Sequence, residues 1–155
     1  MVYGLILFFL AVACSEKPLP PLAIQVIPAR LASDARGPQY ADWDTVRFSG
    51  GTRTKAATYL VAPEPLFTEW NIIAFKTASQ NDSSYVVAAR LNAHAKRIMQ
   101  DFSADPSRLK DPLGLKIGDR WVNFLPLLSP FRDRIQLYGF TAAEVELLQH
   151  DLDNR

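Results

Sequence analysis

Two histidines, one cysteine and scattered carboxylates are the side chains with which this 155-residue chain would have to do catalytic or metal chemistry. His94 and His150 stand alone. Neither has a second histidine or a cysteine at ligand spacing, so each reads as a surface or helix-capping residue. Asp42 and Asp44 flank Trp43. Carboxylates at i and i+2 can share acid–base work or hold a hard cation, but in a polar loop such a pair reads as solvated. Ser49, Gly50, Gly51 and Thr52 lack the glycine and lysine spacing of a phosphate loop, and a hairpin turn accounts for them. No G-x-S-x-G nucleophile motif is present. The residues therefore nominate no catalytic group, no metal site and no cofactor, and the chain is expected not to be an enzyme. Trp43, Trp70, Trp121, Phe131 and Tyr138 are the candidates for a binding surface, since aromatics dominate interface hot spots. A core role is the competing reading for most of them.

The elements that would position these residues are organised around residues 84–103. Tyr85, Val86, Val87 and Leu91 are strand formers. Asn92 can cap a helix whose apolar stripe is Ala95, Ile98, Met99 and Phe102. His94, Lys96 and Arg97 fall off that stripe. A strand feeding an amphipathic helix implies a sheet with the helix laid on its face.

The rest of the chain reads in order. Residues 22–27 form the first strand. Residues 32–44 form a polar loop broken by Gly37 and Pro38. Residues 45–48 and 56–62 form a hairpin, with Gly50 and Gly51 at its reversal. Residues 71–78 and 84–91 form a second hairpin, a helix capped by Thr68 being the competing reading of the first arm. Residues 104–113 are a proline-broken loop. Residues 115–117 and 121–124 bracket a third hairpin at Gly118. Residues 125–134 are irregular, and 135–138 form a short strand. A last helix follows, opened by a capping box of Thr141 and Glu144, with Val145, Leu148 and Leu152 as its stripe. The sum is an α+β domain over residues 22–155: a largely antiparallel sheet with two helices packed on one face.

Composition bounds the partners. A hydrophobic share of 48% with 21% charged residues is that of a folded chain. A formal net charge of +1 gives no electrostatic reason to expect nucleic acid.

The N-terminus carries an address. Residues 1–13 are uncharged and strongly apolar, and Cys14 follows. The run is too short for a hydrocarbon core of about 30 Å, which needs roughly 20 helical residues. It has the length of a signal peptide's hydrophobic region. Leu10, Ala11, Val12, Ala13 and Cys14 resemble the lipobox of bacterial lipoproteins. That resemblance implies cleavage before Cys14 and lipidation of it, so that the chain holds the membrane through an N-terminal lipid. Ser15 after the cysteine then points to the outer membrane, facing the periplasm. Ala11, Val12 and Ala13 also satisfy the small-x-small rule of the ordinary signal peptidase, which would cut the same bond and leave a soluble exported protein. Residues 14–21 are the cysteine and a proline-rich spacer.

Residues 57–152 resemble the periplasmic P1 head of SecD, the accessory subunit of bacterial protein export. Tyr59, Leu60 and Pro63 lead to Leu66, Phe67 and Thr68. Val87, Leu91, Asn92, Ala95 and Phe102 fit the family's strand-into-helix pattern. Leu115 to Val122 fit its hairpin. Ile135, Gly139, Phe140, Thr141, Glu144, Val145 and Leu148 fit its closing strand, cap and helix. The resemblance implies the head fold and a surface that contacts polypeptide. It does not carry over the proton-coupled work of SecD, which needs transmembrane helices that this chain lacks after its signal.

The expectation is a non-catalytic exported lipoprotein that binds protein or peptide at the cell envelope, through the exposed edge of a sheet and linked to protein export. A structural subunit of an envelope complex and an envelope hydrolase are the alternatives.

Overall fold

The computed structural model describes residues 20–51 and 53–155. Residues 1–13, Cys14, the first part of the spacer and Thr52 lie outside the described residues. The protein is α+β, with every strand pairing antiparallel. Its strands are β1 (Ile24–Leu31), β2 (Asp44–Phe48), β3 (Ala57–Val61), β4 (Phe67–Thr68), β5 (Ile72–Asn81), β6 (Ser84–Leu91), β7 (Pro112–Ile117), β8 (Arg120–Pro126) and β9 (Arg134–Phe140). Its helices are α1 (Ala93–Ala104) and α2 (Ala142–Asp153).

These strands divide between two sheets. One has the order β2-β3-β1-β7-β8, with β4 also paired to β1; the other is β5-β6-β9. Within the first sheet β1 is central, and it runs from Ile24 to Leu31 rather than over residues 22–27. It changes partner along its length, pairing β4 at Gln25 and Val26 and β3 from Ala29 onward. Pro28 sits at the changeover, where a missing amide costs no ladder bond.

The first sheet is curled. Phe48 at the end of β2 meets Phe124 of β8 edge-on at 5.3 Å. Tyr59 stacks flat on Phe124 at 4.0 Å, and Trp121 stacks on its other neighbourhood at 5.2 Å. A small second core of Ile27, Ala29, Val61 and these rings fills the curl. Gly114 is what admits the rings, because a Cβ there would lie 2.8 Å from both Phe124 and Trp121.

The main core lies between the two sheets and the helices. The inner face of the three-stranded sheet contributes Val87, Ala89, Leu91, Ile135 and Leu137, and both helices pack on this face. Asn92 caps α1, its Oδ1 accepting from the Ala95 amide at 3.0 Å. The helix is turned slightly from the expected stripe. Ala95, Met99, Phe102 and Ser103 are buried, whereas Ile98 is only half-buried. Ser103 explains the turn: its hydroxyl accepts from the Phe131 amide at 2.8 Å, which pins the β8–β9 connection to the helix. The capping box of α2 is formed, Thr141 N donating to Glu144 Oε2 and Glu144 N to Thr141 Oγ1. Arg120 then fastens Glu144 from the β7–β8 hairpin at 2.6 Å.

Short 3-10 turns stand at Pro38–Tyr40 and Arg108–Lys110, within two expected loops, and at Glu69–Asn71, where the expected strand would begin. The Glu69–Asn71 turn is all that remains of the competing helix. Thr68 N donates to Asn71 Oδ1 at 2.9 Å, and the chain then enters β5. Among the described residues no helix is long and apolar enough to cross a membrane.

Candidate functional site

The feature best built to hold something is a groove of about 730 Å³ where the two sheets part. It lies between β8 of the first sheet and β9 of the second, and each of these is the last strand of its sheet. Its apolar surface comes from Val26, Leu113, Leu115, Leu125 and Phe131. Its rim carries Arg53, Arg132, Asp133 and Arg134. The volume falls in the range of ligand sites, and an apolar floor with few polar groups is their usual composition.

The two edges differ in how far they are already satisfied. Thr54, which is 8% exposed, lies along β8. Its hydroxyl donates to the Phe124 carbonyl and accepts from the Phe124 amide, both at 3.2 Å. One side chain thus takes the place of a neighbouring strand and closes β8 at its middle. Among the described residues the edge of β9 takes one hydrogen bond from a side chain, where Asn123 Nδ2 donates to the Tyr138 carbonyl at 2.7 Å.

That single bond sets the phase of β9. Tyr138 must direct its backbone groups away from β6, and in a strand the groups of alternate residues point the same way. Gln136 and Arg134 therefore also turn their amides and carbonyls outward, into the groove. Ile135 and Leu137 turn theirs toward β6, opposite Ala89 and Val87. The regular register from Tyr138 back to Arg134 supports this alternation. The bulge at Gly139, with φ +93° and no room for a Cβ against Val122, ends the regular stretch. Two residues of β9 thus present unpaired backbone groups beside an apolar trough.

The residues singled out in the sequence are dispersed. Phe131 and Tyr138 do line the groove, Phe131 as a buried anchor and Tyr138 half-buried beneath Arg53, whose guanidinium lies 4.2 Å from the ring centre. Trp121 belongs to the stack in the curl. Trp43 packs against Tyr40. Trp70 is 61% exposed, beneath the Arg155 guanidinium. His94 and His150 are exposed on different helices, and the carboxylates of Asp42 and Asp44 are exposed beside Trp43. Gly50 adopts φ +98°, but the β2–β3 connection spans residues 49–56 and is broader than a two-residue reversal. Thr52 and the candidate lipidation site Cys14 lie outside the described residues.

Thr54, Asn123 and the phase of β9 carry no signal in the sequence. A lone threonine in a turn and an asparagine in a strand acquire meaning only when distant strands are brought beside them. Among the described residues, two ionisable groups away from the groove are displaced from their ordinary range. Burial pushes the Tyr59 phenol up. Hydrogen bonds from the Ser107 hydroxyl and amide hold the Asp105 carboxyl down. Among the described residues no group of three or more histidines, cysteines or carboxylates is placed to hold a metal ion. A scan against protein-family models and a search of the curated proteins gave no match to this chain.

Proposed function

We propose that this chain is a non-catalytic, exported lipoprotein that binds an extended stretch of protein or peptide at the bacterial cell envelope. The bound segment joins β9 as an added strand. The observation that carries this reading is the outward phase of Gln136 and Arg134 at the edge of an apolar groove. An incoming strand supplies the missing backbone partners, and its alternate side chains enter the trough, which is how sheet-edge recognition combines affinity with selectivity.

The link to protein export rests on the likeness to the SecD P1 head. The residues quoted for that likeness fall on β3, β4 and the link between them, β6 with α1, the β7–β8 hairpin, and β9 with α2. The lipid anchor rests on the residues leading to Cys14, and Cys14→Ser is expected to release the exported protein from the membrane fraction. Retention of that variant after processing would contradict the anchor.

The binding reading is tested with Gln136→Pro. The Gln136 amide is not part of the ladder with β6, so proline there removes an outward donor while the sheet keeps its own bonds. Titration of a fluorescent extended peptide is expected to show at least tenfold weaker binding to this variant, with unchanged circular dichroism. Equal affinity in a folded Gln136→Pro protein would remove β9 as the docking edge.

A further inference from the structure

The outer face of the three-stranded sheet determines what kind of strand can be added to it. Register places Ala74, Arg90 and Arg134 in one row across β5, β6 and β9, and Lys76, Ala88 and Gln136 in the next. Lys76, Arg90 and Arg134 are all exposed. Arg90 and Arg134 sit directly opposite each other, a like-charge pair that weakens a sheet when nothing balances it. Among the described residues neither Lys76 nor Arg90 has an acidic partner within ion-pair distance. Arg134 reaches only Asp133, at 3.9 Å, and Asp133 is shared with Lys96 at 3.5 Å. The two rows contain no carboxylate at all. At the far end Arg53 lies over Tyr138 on the same face. The groove thus opens beside a sheet face whose charged side chains are all cationic and, among the described residues, are balanced only by Asp133 at the rim.

We infer that the occupant of the groove is an extended peptide segment with acidic and apolar residues in alternation. This rests on strand addition to β9. An added strand repeats the two faces of the sheet it joins. Side chains on its inner face follow Ile135 and Leu137 into the apolar trough beside Leu125 and Phe131. Side chains on its outer face stand next to Arg134 and Gln136, at the separation where opposite charges across strands attract. A carboxylate in the row of Arg134 completes Arg90–Arg134–carboxylate and relieves the like-charge pair. A lysine in that row would put three cations side by side. The field of the remaining cations acts in the same direction and steers an acidic segment toward the edge.

Three seven-residue peptides test this, alternating valine with glutamate, with glutamine or with lysine. Each is titrated by fluorescence anisotropy against the full-length protein in a neutral detergent. The glutamate peptide is expected to bind roughly threefold tighter than the glutamine peptide, from one cross-strand charge pair with Arg134. The lysine peptide is expected to bind weakest. The preference for glutamate should shrink as salt is raised, since these pairs are exposed. Arg90→Gln combined with Arg134→Gln should bring the glutamate-to-glutamine ratio close to one. Equal binding of the glutamate and glutamine peptides would overturn the charge selectivity and leave strand addition standing, as would a preference indifferent to both salt and the two substitutions. Binding of none of the three would overturn the strand-addition reading and this inference with it.

Discussion

The closure of the curled sheet rests on one hydroxyl, so Thr54→Val is the substitution that probes it most sharply. The valine keeps the shape of threonine in a site that is 8% exposed and removes only the oxygen. Two hydrogen bonds vanish, both 3.2 Å long, and both belong to the backbone of Phe124. Phe124 is itself buried, at the centre of the stack with Phe48, Tyr59 and Trp121. Its amide and carbonyl have no second strand to turn to, because β8 is the end of its sheet. Each lost bond costs about 1 kcal/mol net, and each backbone group left buried without a partner raises that toward 1–3 kcal/mol. The sum is about 2–6 kcal/mol, or a fall in Tm of roughly 6–20 °C for a domain of this size. Urea unfolding gives the free energy and calorimetry the Tm. Thr54→Ser keeps the hydroxyl and loses one methyl, so it should cost about 1 kcal/mol. If valine is as stable as threonine within about 0.5 kcal/mol, or if serine costs more than valine, the hydroxyl does not close β8 and the edge is held by packing alone.

Two further perturbations follow from the same geometry. Met99→Ala should cost about 2–5 kcal/mol, since the side chain is fully buried, and Ile98→Ala clearly less because that residue is half-exposed; paired urea titrations check the order, and equal costs would mean α1 is seated on the expected stripe after all. Tyr59 is 6% exposed and its phenol is pushed above its ordinary 10.0 by burial. The unfolded chain then releases this proton first, so the stability it lends is intact below pH 10 and declines as pH rises through the raised value. Tyr59→Phe should match the parent near neutrality and lose stability less steeply above pH 10, measured by urea midpoints across pH; parallel curves would show that Tyr59 ionises as freely in the fold as out of it.

Local signals in the chain were readable where neighbours in sequence make the structure. Asn92 and the Thr141–Glu144 pair act as the caps their spacing announces. The β5–β6 and β7–β8 hairpins form where polar or glycine turns separate strand formers, although the first turn is confined to Asp82 and Ser83 because Ser79 to Asn81 continue β5. The α+β class with antiparallel strands and two helices follows from these pieces. The division into two sheets does not, because alternating apolar residues show that a strand has a buried face without showing which sheet buries it. The curl depends on rings from β2, β3 and β8 converging over Gly114, and the three strands are well separated in sequence. Ser103 was invisible for a related reason: a serine on a helix reads as solvent-facing until the Phe131 amide arrives to bond it.

The candidate site was legible only in its outline. Recognition through a sheet edge can be expected of any antiparallel domain with end strands. Which of the two edges at the groove stands open is decided by two polar side chains, Thr54 bonding the middle of β8 and Asn123 bonding β9 at Tyr138. Of the five aromatics considered for binding, Phe131 and Tyr138 reach the groove. The other three are held by Tyr40, Phe124 and Arg155 in unrelated places. The cationic face behind β9 is equally hidden in a chain whose formal net charge is only +1, because the balancing acids lie elsewhere on the surface.

Backbone amide hydrogen exchange across β9, with and without the alternating valine–glutamate peptide, tests the central claim most directly. The account predicts new protection at the Gln136 and Arg134 amides, which face the groove, while Ile135 and Leu137 change little because they already bond β6. Peptide binding that protects β5 or the helices and leaves Gln136 and Arg134 exchanging as before would contradict it.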